Sequence, residues 1–250
     1  MLCNILAQNP RFYATQTSGL LEVLFGVRNQ WDNLIEMRAM APELSERRKV
    51  AVLRGIVGSF YADVSQPVIF DKSRGWLAHI EMLELLLGRR ARILVPVRDL
   101  RDVLASFEKL YRLTSSTRQL KAEAADYLNF QTVEKRLEFW ARYDQPVGLA
   151  YNRIKDALAR GLGDRLHFVP YEELCRSPRR VMQSVYDFLG ETWYEHDFEH
   201  VEQVTWEDDT VHGFAPGALH GIRSRVAPQP AAWPAVLGQA ADPYRGLDLW

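Results

Sequence analysis

Short continuous apolar runs alternate with longer segments of helical periodicity along most of the chain. Three runs, PVIFDK, ARILVPV and RLHFVPY, are rich in β-branched residues and bounded by turn residues or charges, which is typical of buried strands. The segments between them repeat apolar residues every three or four positions, which predicts amphipathic helices. This alternation predicts an α/β fold of three layers, with a central parallel sheet flanked by helices.

Several predicted helices carry end signals. Pro42 and Pro178 suit the first turn of a helix, Asp99 suits an N-terminal cap, and Gly88 suits the residue that ends a helix. A further helix is predicted from Thr17 or Ser18 onwards. The first residues, MLCNILAQ, predict a helix without a visible beginning, because no capping residue precedes the apolar run.

Composition indicates an ordinary globular protein. With 250 residues, 47% hydrophobic and 25% charged, the chain is predicted to be one domain over 1–250, irregular from about residue 192. A net charge of −1 gives no overall field that would recruit nucleic acid or an anionic membrane. Cys3 and Cys175 lack the spacing of a disulfide framework or a zinc site. No apolar stretch is long enough to span a membrane, and no secretory leader is visible, so a cytoplasmic location is predicted.

Charged residues follow the second predicted strand, where parallel sheets bind ligands. Arg98 ends this strand beside a helix N-terminus, and such a position favours an anion. The guanidinium fork suits phosphate, and Ser106, eight residues later on the same helix face as Asp102, could add a hydroxyl. The alternative is that Arg98 pairs with Asp102 and that Ser106 is a packing residue.

The other two strand ends are also polar. Lys72 and Arg74 follow the first predicted strand and suit a substrate with several negative charges, although a solvated turn with a surface ion pair explains them as well. Tyr171 follows the third strand and could hydrogen-bond a phosphate or stack on a base. The alternative is an aromatic residue at the rim of the core.

Together these segments resemble the sulfotransferases that use 3′-phosphoadenosine 5′-phosphosulfate (PAPS). ILVPVRDLRDVLASF is similar to the segment that binds the 3′-phosphate, with Arg98 and Ser106 matching in type and spacing. FVPYEELCRSPRRVMQSVYDFLGE is similar to a later strand and helix, in which Tyr171 matches a tyrosine that contacts the nucleotide in the tyrosylprotein branch. DKSRGW gives Lys72 the role of the lysine that faces the sulfuryl group. HGIRSRV is similar to a late basic segment that closes over the nucleotide, in which Arg223 is the better match and Arg225 the alternative.

The resemblance covers most of residues 1–200 and implies a fold like that of the P-loop NTPases. It implies PAPS as co-substrate, no metal, and transfer of a sulfuryl group to a hydroxyl or amine. The acceptor would be a small molecule, a carbohydrate or a peptide. Positioning and electrostatic stabilisation would supply most of the catalysis, as in phosphoryl transfer.

The general base is less clearly indicated. The cytosolic branch of the family has a histidine two residues after the lysine, where this chain has Arg74. The tyrosylprotein branch uses a glutamate in the segment after the first helix, and Glu22 lies in the corresponding region. The alternative is that Glu22 is an exposed helical residue. A later acidic segment, HVEQVTWEDDTVHGF, is interpreted as a solvated loop and not as a metal site.

The family also holds the 5′-phosphosulfate in a glycine- and serine-rich loop between its first strand and first helix. MLCNILAQNP is interpreted as the helix after that loop, so the first strand and the loop are expected to be absent from an N-terminally truncated chain. This expectation leaves open a catalytically inactive nucleotide-binding or interaction protein. A nucleotide kinase is disfavoured, because no glycine-rich loop ending in Lys-Ser/Thr is present.

One polar segment, residues 113–127, is predicted to be a loop that could cover the acceptor site. Its basic residues and their neighbour, Arg112, Arg118 and Lys121, would tolerate an anionic acceptor.

Overall fold

The structure is a computed structural model that describes residues 1–114, 127–212 and 220–247. Contacts divide the chain into two compact units. The first unit contains Met1–Ile93 and Tyr194–Glu207, and the second contains Leu94–Trp193 and Asp208–Trp250. The prediction of a single domain over 1–250 stays a prediction. Most of the predicted flap, residues 115–126 with Arg118 and Lys121, lies outside the described residues.

The architecture is mixed α/β, with parallel strands and flanking helices, which confirms the predicted fold class. The strands are β1 (Phe12–Thr17), β2 (Val68–Lys72), β3 (Ile93–Val97) and β4 (Leu166–Pro170). In the described residues the α-helices are α1 (Leu2–Leu6), α2 (Leu20–Asn33), α3 (Ile35–Arg38), α4 (Pro42–Phe60), α5 (Ile80–Leu87), α6 (Leu100–Thr114), α7 (Val133–Ala141), α8 (Pro146–Ala159), α9 (Tyr171–Arg176), α10 (Pro178–Leu189) and α11 (Trp233–Leu237).

Strands β1 and β2 pair in parallel in the first unit. Phe12 lies opposite Val68, and Thr17 lies opposite Lys72, with an irregularity in the register between them. Strand β1 corrects the sequence interpretation, which placed no strand before β2. The run FYATQT is apolar only in its first half, so neither a continuous apolar pattern nor a clean alternation marks it.

The core of the first unit forms where α2, α4 and α5 meet. Apolar residues on the inner faces of these helices are almost completely removed from water, together with Trp76 of a short 3₁₀ turn before α5. The buried set is Leu20, Leu21, Leu24, Leu53, Trp76 and Leu86. This packing fixes the start of α2, because Leu20 and Leu21 are its first two residues.

Strands β3 and β4 are hydrogen-bonded neighbours in the second unit. Helix α6 contributes Leu104 and Ala105 to a core that includes Leu137 and Trp140 of α7 and Leu237 of α11. This packing fixes the helix that directly follows β3.

A buried ion pair also links α6 to α7. The carboxylate of Glu108 is completely buried and accepts two hydrogen bonds from Arg136, at 2.7 and 2.8 Å, and one from Arg112 at 2.6 Å. The buried charge is therefore neutralised on both of its oxygens.

Most of the helix-end predictions are confirmed. The Asp99 carboxylate accepts the Arg101 N–H at 2.9 Å as a cap of α6, and Gly88 ends α5 with φ +64°. Pro42 and Pro178 are the first residues of their helices. The helix predicted from Thr17 or Ser18 instead begins at Leu20, after strand β1 ends.

The described residues after about position 192 contain little regular structure. Helix α11 lies between 3₁₀ turns at Asp209–His212 and Gly238–Tyr244. Cys3 and Cys175 are both free thiols. Among the described residues, no helix is both long enough and apolar enough to cross a bilayer.

Candidate active site

Arg98 directly follows β3 and lies against Tyr171, the first residue of α9. The central carbon of its guanidinium is 4.8 Å from the centre of the Tyr171 ring. One terminal nitrogen, Nη2, is 3.5 Å from a carboxylate oxygen of Asp102. The Nε of Arg98 is buried and has no hydrogen-bond partner among the residues that the structure describes. The guanidinium is therefore held in place, but its capacity to donate hydrogen bonds is not used up.

Ser106 lies on the exposed side of α6, two turns after Arg98. Its hydroxyl donates a hydrogen bond of 2.9 Å to the backbone carbonyl of Asp102. The carboxylate of Asp102 is buried and accepts the backbone N–H groups of Ala232 and Trp233 at 2.8 and 3.1 Å. The alternative pairing of Arg98 with Asp102 is thus present. Arg98 contacts the carboxylate of Asp102, and Ser106 contacts its backbone carbonyl.

Tyr171 is half-buried, and its surroundings shift the pKa of its hydroxyl in opposite directions. Burial and a hydrogen bond with Cys175 raise the pKa of its hydroxyl, while the positive charges of Arg98 and Arg223 oppose that rise. Arg223 itself is exposed. The structure therefore brings Arg98, Tyr171 and Arg223 into one neighbourhood, as the sequence predicted for residues that would contact the same nucleotide.

The second arginine at this junction, Arg101, is already bound to Asp99 and Trp233. It donates to the Asp99 carboxylate at 2.6 Å, and its guanidinium carbon lies 4.4 Å from the ring centre of Trp233. Burial alone would raise the pKa of Asp99, but the hydrogen bonds from Arg101 hold it below its usual value. The two arginines therefore have different roles, since Arg101 fixes the helix start whereas Arg98 faces Tyr171.

Lys72 ends β2 in the first unit, directly opposite Thr17 at the end of β1. The Lys72 carbonyl accepts the Ser18 N–H at 2.8 Å, and the Lys72 N–H donates to the Thr15 hydroxyl at 2.8 Å. The side chain is 43% exposed, and its ammonium nitrogen, Nζ, reaches Glu207 at 2.7 Å. Strand pairing therefore fixes the Lys72 backbone beside the turn that follows β1, while the side chain keeps freedom to move.

That turn, Ser18–Gly19, connects β1 to the fourteen-residue helix α2. The Ser18 hydroxyl accepts the Leu20 N–H at 3.1 Å, and Gly19 has φ −90° and ψ 0°. A Cβ atom on Gly19 would meet no atom within 4 Å, so the outer side of the turn is open. The start of a long helix, where the helix dipole favours an anion, therefore lies beside this turn.

The strand–turn–helix unit corrects the expectation that the first strand and its loop are absent. Helix α1, which was interpreted as the helix after the loop, instead precedes β1. The turn contains less glycine and serine than the loop that the resemblance implies, since Ser18 and Gly19 are its only such residues. The alternative of a catalytically inactive nucleotide-binding or interaction protein stays a prediction.

Glu207 is the residue of this region that sequence reasoning missed. One of its oxygens, Oε1, accepts the Thr17 N–H at 3.0 Å, the Thr17 hydroxyl at 2.9 Å and Lys72 Nζ at 2.7 Å. Burial would raise the pKa of this carboxyl, but the bonds from Lys72 and Thr17 hold it below its usual value. Glu207 had been assigned to a solvated acidic loop, and no local signal separates it from its acidic neighbours.

The rest of that acidic segment behaves differently. Asp209 is completely buried, and its carboxylate is hydrogen-bonded to the His220 ring in the second unit. Among the described residues, no three His, Cys, Asp or Glu side chains are grouped so that they could hold a metal ion.

The remaining predicted residues of the first unit are exposed. Glu22 lies in the first turn of α2 with its side chain in solvent, and Arg74 is also exposed. Asp71, next to Lys72, accepts hydrogen bonds from the Tyr61 hydroxyl and, at 2.7 Å, from Trp76 Nε1. These bonds fix the end of β2, so the role of Asp71 is structural.

The chain is similar to known proteins in sequence and in fold. A family model described as "Sulfotransferase family" matches residues 1–195. The solved sulfotransferase domain from the curacin biosynthetic pathway superposes with a TM-score of 0.52 at 15% identity, covering 99% of this chain and 86% of that one. The sulfotransferase domain of the Synechococcus PCC 7002 olefin synthase has a TM-score of 0.36 at 20% identity and 93% coverage of both chains. No curated protein matches the sequence.

Proposed function

Since this chain belongs to the sulfotransferase family, we propose that it transfers a sulfuryl group from PAPS to a hydroxyl or amine of an acceptor. The acceptor would be a small molecule, a carbohydrate or a peptide. The observation that supports this proposal most strongly is the grouping of Arg98, Tyr171 and Arg223 after the ends of β3 and β4. Two arginines and an aromatic ring suit a phosphorylated nucleotide.

In this proposal the groups that follow β3 and β4 bind the nucleotide. Arg98 donates to the 3′-phosphate through the fork that includes its unpaired Nε. The Ser106 hydroxyl adds a further donor when its proton turns from the Asp102 carbonyl to the phosphate. Tyr171 holds the guanidinium from one side and can offer its own hydroxyl. Arg223, exposed and close enough to influence Tyr171, adds a second positive charge.

The groups at the ends of β1 and β2 act on the 5′-phosphosulfate. The backbone N–H groups at the start of α2 and the open side of the Ser18–Gly19 turn suit an anionic oxygen. Lys72 stabilises the negative charge that grows on the oxygen bridging phosphorus and sulfur as the bond between that oxygen and sulfur breaks. The acceptor oxygen or nitrogen forms the new bond to sulfur and loses its proton to a base.

Glu22 stays a proposal for that base. Its position in the first turn of α2 is one turn from the Ser18–Gly19 turn, and its carboxylate is exposed, so an acceptor could reach it. No metal is required by the proposed chemistry, because Lys72 and the backbone donors supply the positive charge.

Calorimetric titration with adenosine 3′,5′-bisphosphate tests the nucleotide site directly. We expect micromolar binding that Arg98→Ala weakens by about 100-fold, because charge-assisted hydrogen bonds to phosphate are lost. Arg92→Ala is the matched control, since Arg92 is an exposed arginine just before β3 and should bind like the wild type. Adenosine 5′-phosphate should bind more weakly than the bisphosphate in the wild type and should be insensitive to Arg98→Ala. Absence of binding by the folded wild-type chain would overturn the proposal.

Activity requires an acceptor screen with PAPS, read by mass spectrometry as gain of one sulfuryl group. A chain that binds the bisphosphate but modifies no acceptor in a broad panel of alcohols, phenols, amines, sugars and peptides would point to the nucleotide-binding role without transfer.

A further inference from the structure

Three hydrogen-bond donors of the first unit converge on a single oxygen atom. The Thr17 N–H, the Thr17 hydroxyl and Lys72 Nζ all lie 2.7–3.0 Å from Glu207 Oε1. We call these three groups the donor cluster. A backbone amide, a hydroxyl and an ammonium around one anionic oxygen form the kind of environment that also suits an oxygen of a phosphate or sulfate group.

The donor cluster lies at the position where an anionic ligand is expected. Thr17 and Lys72 stand opposite each other at the ends of two parallel strands, and Thr17 directly precedes the Ser18–Gly19 turn and the start of α2. Ligands of α/β sheets bind at this edge. A carboxylate oxygen therefore already occupies donors that a 5′-phosphosulfate would use.

We propose that Glu207 is an internal ligand of the phosphosulfate site, which an incoming 5′-anion must displace. The inference rests on the proposed function and adds a determinant of nucleotide affinity to it. Two anions cannot share the donor cluster, because their like charges repel at that separation. Part of the binding free energy of the nucleotide is therefore spent on moving Glu207, and only ligands that carry a 5′-anion bear this cost.

The displacement can be local. The segment Tyr194–Glu207 is attached to α1 by Asn4, whose side-chain oxygen accepts the Val204 and Thr205 N–H groups at 2.7 and 3.0 Å. Asn4 is buried, so Thr205 is firmly held. Trp206, between this anchor and Glu207, is 70% exposed. Thr205 can therefore stay in place while the Glu207 carboxylate leaves the donor cluster.

Displacement also changes the partner of Lys72. While Glu207 is in place, Lys72 Nζ is neutralised by it at 2.7 Å. Once the carboxylate leaves, the ammonium is free to turn toward the bridging oxygen, and its 43% exposure gives it room to do so. The positive charge is thus kept in position by a temporary partner until the nucleotide arrives.

The test compares Glu207→Gln with the wild type in calorimetric titrations with two nucleotides. Adenosine 3′,5′-bisphosphate should bind about tenfold more tightly to Glu207→Gln, since the variant lacks the competing charge. Adenosine 3′-phosphate, which has no 5′-anion, should bind both proteins equally. Glu202→Gln is the matched control, because it removes an exposed carboxylate from the same segment and should leave both affinities unchanged.

Each other outcome separates the two proposals. Unchanged or weaker bisphosphate binding by Glu207→Gln, with Arg98→Ala still weakening binding, would overturn the role of Glu207 and leave the nucleotide site intact. No binding by any variant would overturn the proposed function itself. Thermal unfolding checks that the variants fold. If Glu207→Gln does not fold, Glu207→Asp replaces it, since the shorter carboxylate reaches the donor cluster less well and should also tighten bisphosphate binding. An unchanged affinity in that variant would count against the proposal.

Discussion

Arg98 lies on the face of the Tyr171 ring, with 4.8 Å between the guanidinium carbon and the ring centre. The two residues are far apart in sequence, yet each directly follows a strand, and those strands, β3 and β4, are hydrogen-bonded neighbours. The contact therefore follows from the sheet topology. It places an aromatic surface and a cation with spare donors at the same point.

This contact predicts different effects for two substitutions of Tyr171. If the ring positions Arg98, Tyr171→Phe should keep most of the affinity for adenosine 3′,5′-bisphosphate, whereas Tyr171→Ala should lose about tenfold through the lost cation–π contact. Calorimetric titration measures both. Equal losses in the two variants would show that the hydroxyl, and not the ring, supplies the contribution of Tyr171.

Lys72 should affect the chemical step more than nucleotide binding. Lys72→Met is expected to lower kcat by about 100-fold, the typical effect of removing one donor that stabilises charge in the transition state, while the KM for PAPS changes little. The measurement is steady-state kinetics with whichever acceptor the screen identifies. Arg74→Met, which removes an exposed cation two residues away, is the control and should retain wild-type kcat. A pure KM effect in Lys72→Met would assign Lys72 to binding.

The buried ion pair in the second unit predicts a large effect on stability. Glu108→Gln should lower the free energy of unfolding by about 3 kcal/mol, because Arg136 would be left buried with an incomplete partner. Glu138→Gln breaks the exposed pair with Lys135 on α7 and should cost less than about 1 kcal/mol. Urea denaturation at neutral pH measures both values. Similar costs for the two variants would contradict this account of the Glu108 network.

His196 predicts a dependence of stability on pH. Burial lowers the pKa of His196 to about 4, against a weaker opposing effect of its hydrogen bond to Ile5, and the side chain is 5% exposed. The unfolded chain takes up the proton near pH 6.5 and the folded chain only near pH 4. Stability contributed by His196 is therefore complete above pH 6.5 and falls as the pH drops. Between pH 7.5 and pH 5 the loss should be about 2 kcal/mol.

His196→Gln should remove this part of the pH dependence. Denaturation curves of the variant and the wild type at several pH values isolate it as a difference. His200→Gln, at an exposed histidine of the same segment, should leave the profile of the wild type unchanged. A wild-type profile in His196→Gln would show that other groups cause the acid sensitivity.

Sequence patterns predicted the parts of the fold in which one physical signal dominates. Strands β2, β3 and β4 are continuous apolar runs, and the rule that ligands lie beyond strand ends directed attention to Arg98 and Tyr171. The sequence pattern did not predict strand β1, because the second half of this strand is polar. Its Thr15 is nevertheless buried, since the hydroxyl accepts the Lys72 N–H from the neighbouring strand. Tertiary hydrogen bonding of this kind leaves no trace in local periodicity.

Glu207 was beyond sequence reasoning for a different reason. Its three donors come from Thr17 and Lys72, which precede it in the chain by well over a hundred residues. In the sequence it stands beside Asp208 and Asp209, and the three acidic residues are indistinguishable by type. Only the folded chain separates Glu207, bound at the ends of β1 and β2, from Asp209, paired with His220.

The carboxylate of Asp102 joins Arg98 to the first residues of α11, because it accepts the amides of Ala232 and Trp233 while it faces the guanidinium. A phosphate that draws Arg98 toward itself would change the electronic environment, and hence the magnetic shielding, of these two amide protons. Their resonances in a nitrogen–proton NMR spectrum should therefore shift on titration with nucleotide. The C-terminal segment, which lies beyond the part matched by the family model, thus carries built-in reporters of whether the arginine is engaged.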